Sequence, residues 1–140
     1  MRKRILIVDD NESFGELLRD LLNVRGYAAS HSPDLNQARE LIEVGGKPHF
    51  VVLDYRLKEG TTCEFAVSLK SLLPDAKIIM ASGEVEEVHE LQKLVKERIA
   101  SAYIAKPFGE EDLAKVIRAL EDLDARDHHP AGQPPHGRQI

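Results

Sequence analysis

Four places in the sequence put a polar group capable of chemistry directly after a short apolar run. Asp9 and Asp10 follow ILIV, Asp54 follows FVVL, Ser82 and Gly83 follow IIMA, and Lys106 and Pro107 follow AYIA. Neighbouring carboxylates repel each other, and a carboxylate left unpaired away from water is costly. Asp9 and Asp10 therefore either face water and cap a helix or share a positive charge. Three carboxylates make a hard-oxygen set of the kind that holds Mg²⁺ together with waters and phosphate oxygens. A hydroxyl and an ammonium are the groups that would bond and neutralise such phosphate oxygens. Taken singly, each feature has a plainer reading. Asp9-Asp10-Asn11 caps a helix, Asp54 ends a strand, Ser82-Gly83 makes a turn, and Lys106-Pro107 is a solvated loop. The conjunction at four run ends is what points to a site.

Hydrophobic period defines the strands and helices that carry these groups. The apolar runs are 5–8, 27–30, 50–53, 77–81 and 101–105. Short continuous apolar runs are the mark of strands buried on both faces, although 27–30 and 101–105 are weaker and 27–30 reads as an edge. Between them lie helix-spaced stripes. The first is Phe14, Leu17, Leu18, Leu21 and Leu22; the second is Leu35, Ala38, Leu41 and Ile42, begun by Ser32 as cap and Pro33 as first helical residue. The third is Ala66, Leu69 and Leu73, stopped by Pro74. The fourth is Val85, Val88, Leu91, Gln92, Val95 and Ile99, with Gln92 its polar flaw. The fifth is Leu113, Val116, Ile117, Leu120 and Leu123, opened by three acids that favour a helix N-terminus. Five strand–helix units in alternation predict an α/β fold with a doubly wound parallel sheet and right-handed crossovers. In such sheets sites form beyond the carboxyl ends of the strands, where all four polar groups stand.

Composition narrows the class. The 140 residues suit one domain that buries roughly two-thirds of its unfolded surface. No run approaches the ~18 apolar residues of a membrane span, and MRKR is followed by too short an apolar stretch for a signal peptide. One cysteine, Cys63, excludes an internal disulfide. That fits a reducing, cytoplasmic setting. A net charge of −5 argues against a nucleic-acid or anionic-membrane surface. The domain is expected over 1–124, followed at 125–140 by a disordered tail rich in Pro, Gly and His. Its His128, His129 and His136 read as part of that flexible tail rather than as a metal site.

Over about residues 4–123 the chain resembles the receiver domain of two-component response regulators, of the chemotaxis-regulator type. The motifs ILIVDDN, FVVLDYRL, IIMASG and AYIAKPF carry the resemblance. It implies a flavodoxin-like fold, with five parallel strands in order 2-1-3-4-5 and five helices. It implies a signalling module rather than an enzyme, catalysing only its own phosphotransfer and autodephosphorylation. Asp54 would be the phosphoacceptor, taking a phosphoryl group from a phosphohistidine of a sensor histidine kinase or phosphotransfer protein. Mg²⁺ would be held by Asp10, Asp54 and the backbone carbonyl of Arg56, with Asp9 acting through a water. Lys106 and Ser82 would contact phosphoryl oxygens, Gly83 would leave room beside them, and the Lys106–Pro107 bond would be cis. Tyr103 would be an aromatic switch that turns inward when Ser82 moves. With no DNA-binding or catalytic output segment after Leu123, the chain reads as a single-domain regulator. It would signal to an unidentified downstream protein through the face of the fourth helix, fifth strand and fifth helix, with dimerisation on phosphorylation left open.

Two positions depart from the family pattern: Lys58 replaces a usual proline and Thr62 a usual glycine, with Gly60 available as the permissive residue. At the mouth of the site, Arg56 and Glu84 stand two residues after Asp54 and Ser82. An ion pair between them would obstruct the water that hydrolyses the phosphoryl group and lengthen its lifetime. Two other functions compete. A Mg²⁺-dependent phosphatase of the haloacid-dehalogenase type also uses an aspartate nucleophile, but in a D-x-D motif on the first strand. A receiver-like binding module independent of phosphate would not need the full acid, hydroxyl and lysine set.

Overall fold

Along the three central strands, successive apolar side chains point to opposite faces of the sheet. The structure, a computed structural model, describes residues 2–127. It contains β1 (Arg4–Val8), α1 (Glu12–Val24), β2 (Ala28–Ser32), α2 (Leu35–Gly45), β3 (Phe50–Asp54), β4 (Arg56–Leu57), β5 (Gly60–Thr61), α3 (Cys63–Leu72), β6 (Lys77–Ser82), a 3₁₀ turn (Val85–Glu87), α4 (Val88–Lys96), β7 (Ala102–Ala105) and α5 (Glu110–Asp127). Five strands form one sheet in the order β2-β1-β3-β6-β7, all parallel. Counting only these strands, the order is the expected 2-1-3-4-5. The short antiparallel pair β4–β5 is additional. Nothing in the residues after Asp54 had signalled it.

Ile5, Ile7, Phe50, Val52, Ile79 and Ile104 pack with Leu18 and Leu22 of α1 and Leu113, Ile117 and Leu120 of α5. Leu6, Val8, Val51, Leu53, Ile78 and Met80 face the opposite way, onto Ala38, Phe65, Ala66, Leu69, Leu91 and Leu94 of α2, α3 and α4. Each fully buried aliphatic or aromatic side chain contributes about 1.5–3 kcal/mol. The two cores therefore fix where every strand ends, and with it the rim that carries the site.

Several element details differ from expectation. α2 is capped by Asp34, whose side chain accepts the Gln37 N–H at 2.8 Å, not by Ser32; Ser32 is the last residue of β2. In α1, Leu18 and Leu22 are buried, but Leu17 and Leu21 are turned to solvent. The fourth helical stretch begins as a tighter 3₁₀ turn. Leu91 and Leu94 are the buried residues of α4, Val85 is exposed, and Gln92 lies on the outer face, so it is no flaw. α5 continues to Asp127, so residues 125–127 are helical; His128, His129 and His136 lie outside the described residues. No helix among the described residues is long and apolar enough to cross a membrane.

Candidate functional site

The chain runs from β1 and β2 on one side of the sheet to β3, β6 and β7 on the other, so the crevice between β1 and β3 opens at the strands' carboxyl ends. Asp9 and Asp10 leave β1 there, and Asp54 is the last residue of β3. The capping duty falls to Asn11, whose side chain accepts the Phe14 N–H at 3.1 Å, which leaves the two acids free for other work. One oxygen from each of Asp9, Asp10 and Asp54 lies within 4.8 Å of the others. Asp9 and Asp54 are buried and Asp10 is half-buried.

Lys106 compensates the two buried acids. Its Nζ donates to Asp9 Oδ2 at 3.0 Å and to Asp54 Oδ2 at 2.8 Å. Burial pushes the Asp54 carboxyl above its usual range, and the bond and charge of Lys106 oppose that push without cancelling it. Burial lowers Lys106, but its bonds to Asp54 and Asp9 outweigh the loss and hold the ammonium above its ordinary value. Asp9 Oδ1 also accepts the Asn11 N–H at 2.9 Å, and Asp10 Oδ2 accepts the Lys58 N–H at 2.9 Å. The Lys106–Pro107 bond is cis. The three carboxylates supply only hard oxygens at close quarters, a donor set that fits Mg²⁺.

The loop after β3 answers to the two unusual residues. Gly60 takes the positive φ of 123° as the first residue of β5, directly after the turn. Thr62 is fully buried, and its single hydroxyl proton is shared between the carbonyls of Asp54 at 2.7 Å and Tyr55 at 3.2 Å. A glycine could not make those bonds. Gly83 is less constrained than expected: a Cβ there would meet Lys106 Cβ at 3.8 Å, an ordinary contact.

Ser82 is buried beside this rim, yet its hydroxyl faces Glu87, with Oγ 2.5 Å from Glu87 Oε1. Arg56 does not pair with Glu84. Its Nε reaches Glu87 Oε2 at 3.0 Å, and Glu84 is exposed. The sequence reading missed Glu87, since nothing in EVEEVHE distinguishes it from Glu84 or Glu86. Only the 3₁₀ turn aims it inward. Tyr103 is exposed on edge strand β7 and lines, with Ser82, Val88 and Leu91, a cavity of about 130 Å³.

A family model for the response regulator receiver domain matches residues 5–118. The chain belongs to that family. This receiver domain is 35% identical over 120 residues to the phosphate regulon transcriptional regulatory protein PhoB of Pseudomonas aeruginosa, covering 84% of this chain and 51% of PhoB. The chain spans about half the length of the curated relatives it matches. In structure it is similar to a CheY-like receiver domain protein of Methanospirillum hungatei, with TM-score 0.77 and 26% identity over 91% of this chain and 99% of that one. It is likewise similar to the response regulator TrrA of Thermotoga maritima, solved in complex with Mg²⁺-BeF, with TM-score 0.70 and 27% identity over 84% and 98% of the two chains. The receiver domain is thus a module of two-component signal transduction, a family whose members work with a histidine kinase and a downstream effector. Membership also sets aside the haloacid-dehalogenase reading.

Proposed function

We propose that Asp54 accepts a phosphoryl group from a phosphohistidine of a sensor histidine kinase or phosphotransfer protein. The single observation that supports this best is the Lys106 ammonium bridging Asp9 and Asp54 inside a cluster of three carboxylates. A carboxylate is nucleophilic without losing a proton at neutral pH, so no general base is required. An Asp54 oxygen attacks phosphorus, the phosphorus–nitrogen bond breaks, and its electron pair remains on the departing imidazole. The difficulty is electrostatic, because one anion approaches another. Lys106 already lies 2.8 Å from Asp54 and offsets part of that repulsion. Mg²⁺ would be held by Asp10, Asp54 and the Arg56 carbonyl, with Asp9 acting through a water, and would supply positive charge to the phosphoryl oxygens. The Mg²⁺-BeF complex of the similar TrrA supports that choice of ion.

A kinase must present its histidine at this rim. The hollow beside Lys106, lined by Asn11, Phe14, Gly83, Pro107 and Phe108, opens there, and Leu17, Leu21 and Val24 extend an apolar strip along α1. Ser82 and Tyr103 then report phosphorylation to a downstream protein on the α4–β7–α5 face, by favouring the one of two conformations that contacts the phosphoryl group.

Incubation with a small acyl phosphate and Mg²⁺, followed by intact-mass measurement, tests the reading. A gain of one phosphoryl group, prevented by chelating the metal, is expected. An unchanged mass with donor and Mg²⁺ both present overturns it.

A further inference from the structure

The Ser82 hydroxyl is fully engaged, and not with the acid cluster. Its one proton has Glu87 Oε1 as the near acceptor at 2.5 Å and the Glu84 carbonyl oxygen as a longer one at 3.3 Å, while its oxygen accepts the Glu84 N–H at 3.2 Å. Glu87 is itself buried, only 7% exposed, and both of its carboxylate oxygens are engaged: one by Ser82 and the other by Arg56 Nε at 3.0 Å. Arg56 stands two residues from Asp54, and its backbone N–H points at Asp54 Oδ1, 3.4 Å away. A continuous chain thus runs from the mouth of the site through a buried carboxylate to the hydroxyl.

We propose that Glu87 is a positioning residue, a latch that holds the Ser82 hydroxyl away from the phosphoryl site and so favours the unphosphorylated state. The proposal rests on Asp54 being the phosphoacceptor. Ser82 cannot donate its proton to a phosphoryl oxygen and to Glu87 at once. A hydrogen bond to a charged, buried acceptor is among the stronger ones. Forming the phosphorylated state therefore requires breaking the Ser82–Glu87 bond and leaving Glu87 with Arg56 alone. Arg56 has a mostly exposed side chain and serves as the counter-charge that makes a buried Glu87 tolerable. The resting state is thereby deepened by a contact that phosphorylation must undo, and the latch raises the threshold for switching. Glu84, which contacts Ser82 only through its backbone and has an exposed side chain, has no such role.

The test is calorimetric affinity for beryllofluoride, a phosphoryl mimic, at saturating Mg²⁺. The proteins compared are wild type, Glu87→Ala, Glu87→Gln, Ser82→Ala and the Ser82→Ala/Glu87→Ala double variant. Glu87→Ala is expected to bind about tenfold tighter than wild type, since the bond it removes is charge-assisted. The isosteric Glu87→Gln, which keeps the packing and a neutral acceptor, should fall between them. In the Ser82→Ala background the Glu87 change should have no effect, a dependence that a purely structural role would not produce. Unchanged or weaker binding in both Glu87 variants overturns the latch. So does an equal gain with and without the Ser82 hydroxyl. If wild type takes up a phosphoryl group while the Glu87 variants behave like it, only the latch fails. If wild type takes up none, the reading beneath it fails as well.

Discussion

At the scale of single residues, the site is a balance of charge built around Lys106. Its ammonium satisfies two buried carboxylates that would otherwise repel each other, and its charge opposes that of a cation held by the same acids. Replacing Asp10 with Asn removes a hard anionic oxygen and should weaken Mg²⁺ binding about tenfold or more. Lys106→Ala should tighten it several-fold, because a competing positive charge is gone. Titration of Mg²⁺ against both variants checks the assignment, and equal losses in the two would contradict it. These residues were legible because their chemistry is tied to residue type and to position at the ends of apolar runs. Glu87 and Thr62 were not. Their roles depend on which way a short turn aims a carboxylate and on a hydroxyl reaching two carbonyls seven and eight residues back. The pairing of Arg56 was misjudged for the same reason: Glu84 and Glu87 are equivalent as sequence and opposite in burial.

At the scale of elements, the strands and helices followed from period, whereas the caps and phases did not. Asp34 displaces Ser32 as the cap of α2 because β2 extends through Ser32, which removes it from the helix entrance. α1 shows how a neighbouring element can dictate a residue that propensity disfavours. Gly15 is buried at the end of the first turn of the helix, and a Cβ there would come within 2.2–2.7 Å of the ring of His31 on β2. That ring is held by a 2.8 Å contact between His31 Nε2 and the carbonyl oxygen of Asp9. Alanine gains about 1 kcal/mol of helix propensity at such a position, but overpacking typically costs about 1–3 kcal/mol. Gly15→Ala is therefore expected to destabilise the fold by about 1–2 kcal/mol in urea unfolding. In a His31→Ala background the same change should stabilise it. Destabilisation in both backgrounds would show that the ring is not the obstacle.

At the scale of the molecule, the sheet separates a chemical end from a structural one. At the amino ends of the strands, His49 extends the β1–β3 pairing: its Nδ1 accepts the Arg4 N–H at 2.9 Å, a bond that requires an unprotonated nitrogen. Burial, and then the charges of Arg4 and Lys3, hold its pKa below the ordinary value of about 6.5. The folded state thus resists protonation more than the unfolded chain does. The contribution of His49 is complete above pH ~6.5 and declines as the pH falls from there toward the lowered folded value. Urea unfolding of wild type and His49→Gln across that range should show an acid-side loss in the first that is reduced in the second. Parallel profiles would exclude His49. At the opposite end of the same strands lies the proposed phosphoacceptor, and its test bears on the whole account. Wild type and Asp54→Asn, each incubated with an acyl phosphate and Mg²⁺, are compared by intact mass and by tandem mass mapping of the modified peptide. The account predicts one phosphoryl group on wild type, mapped to Asp54, and none on the folded variant. A phosphoryl group persisting in Asp54→Asn, or mapped to any other residue of wild type, would contradict it.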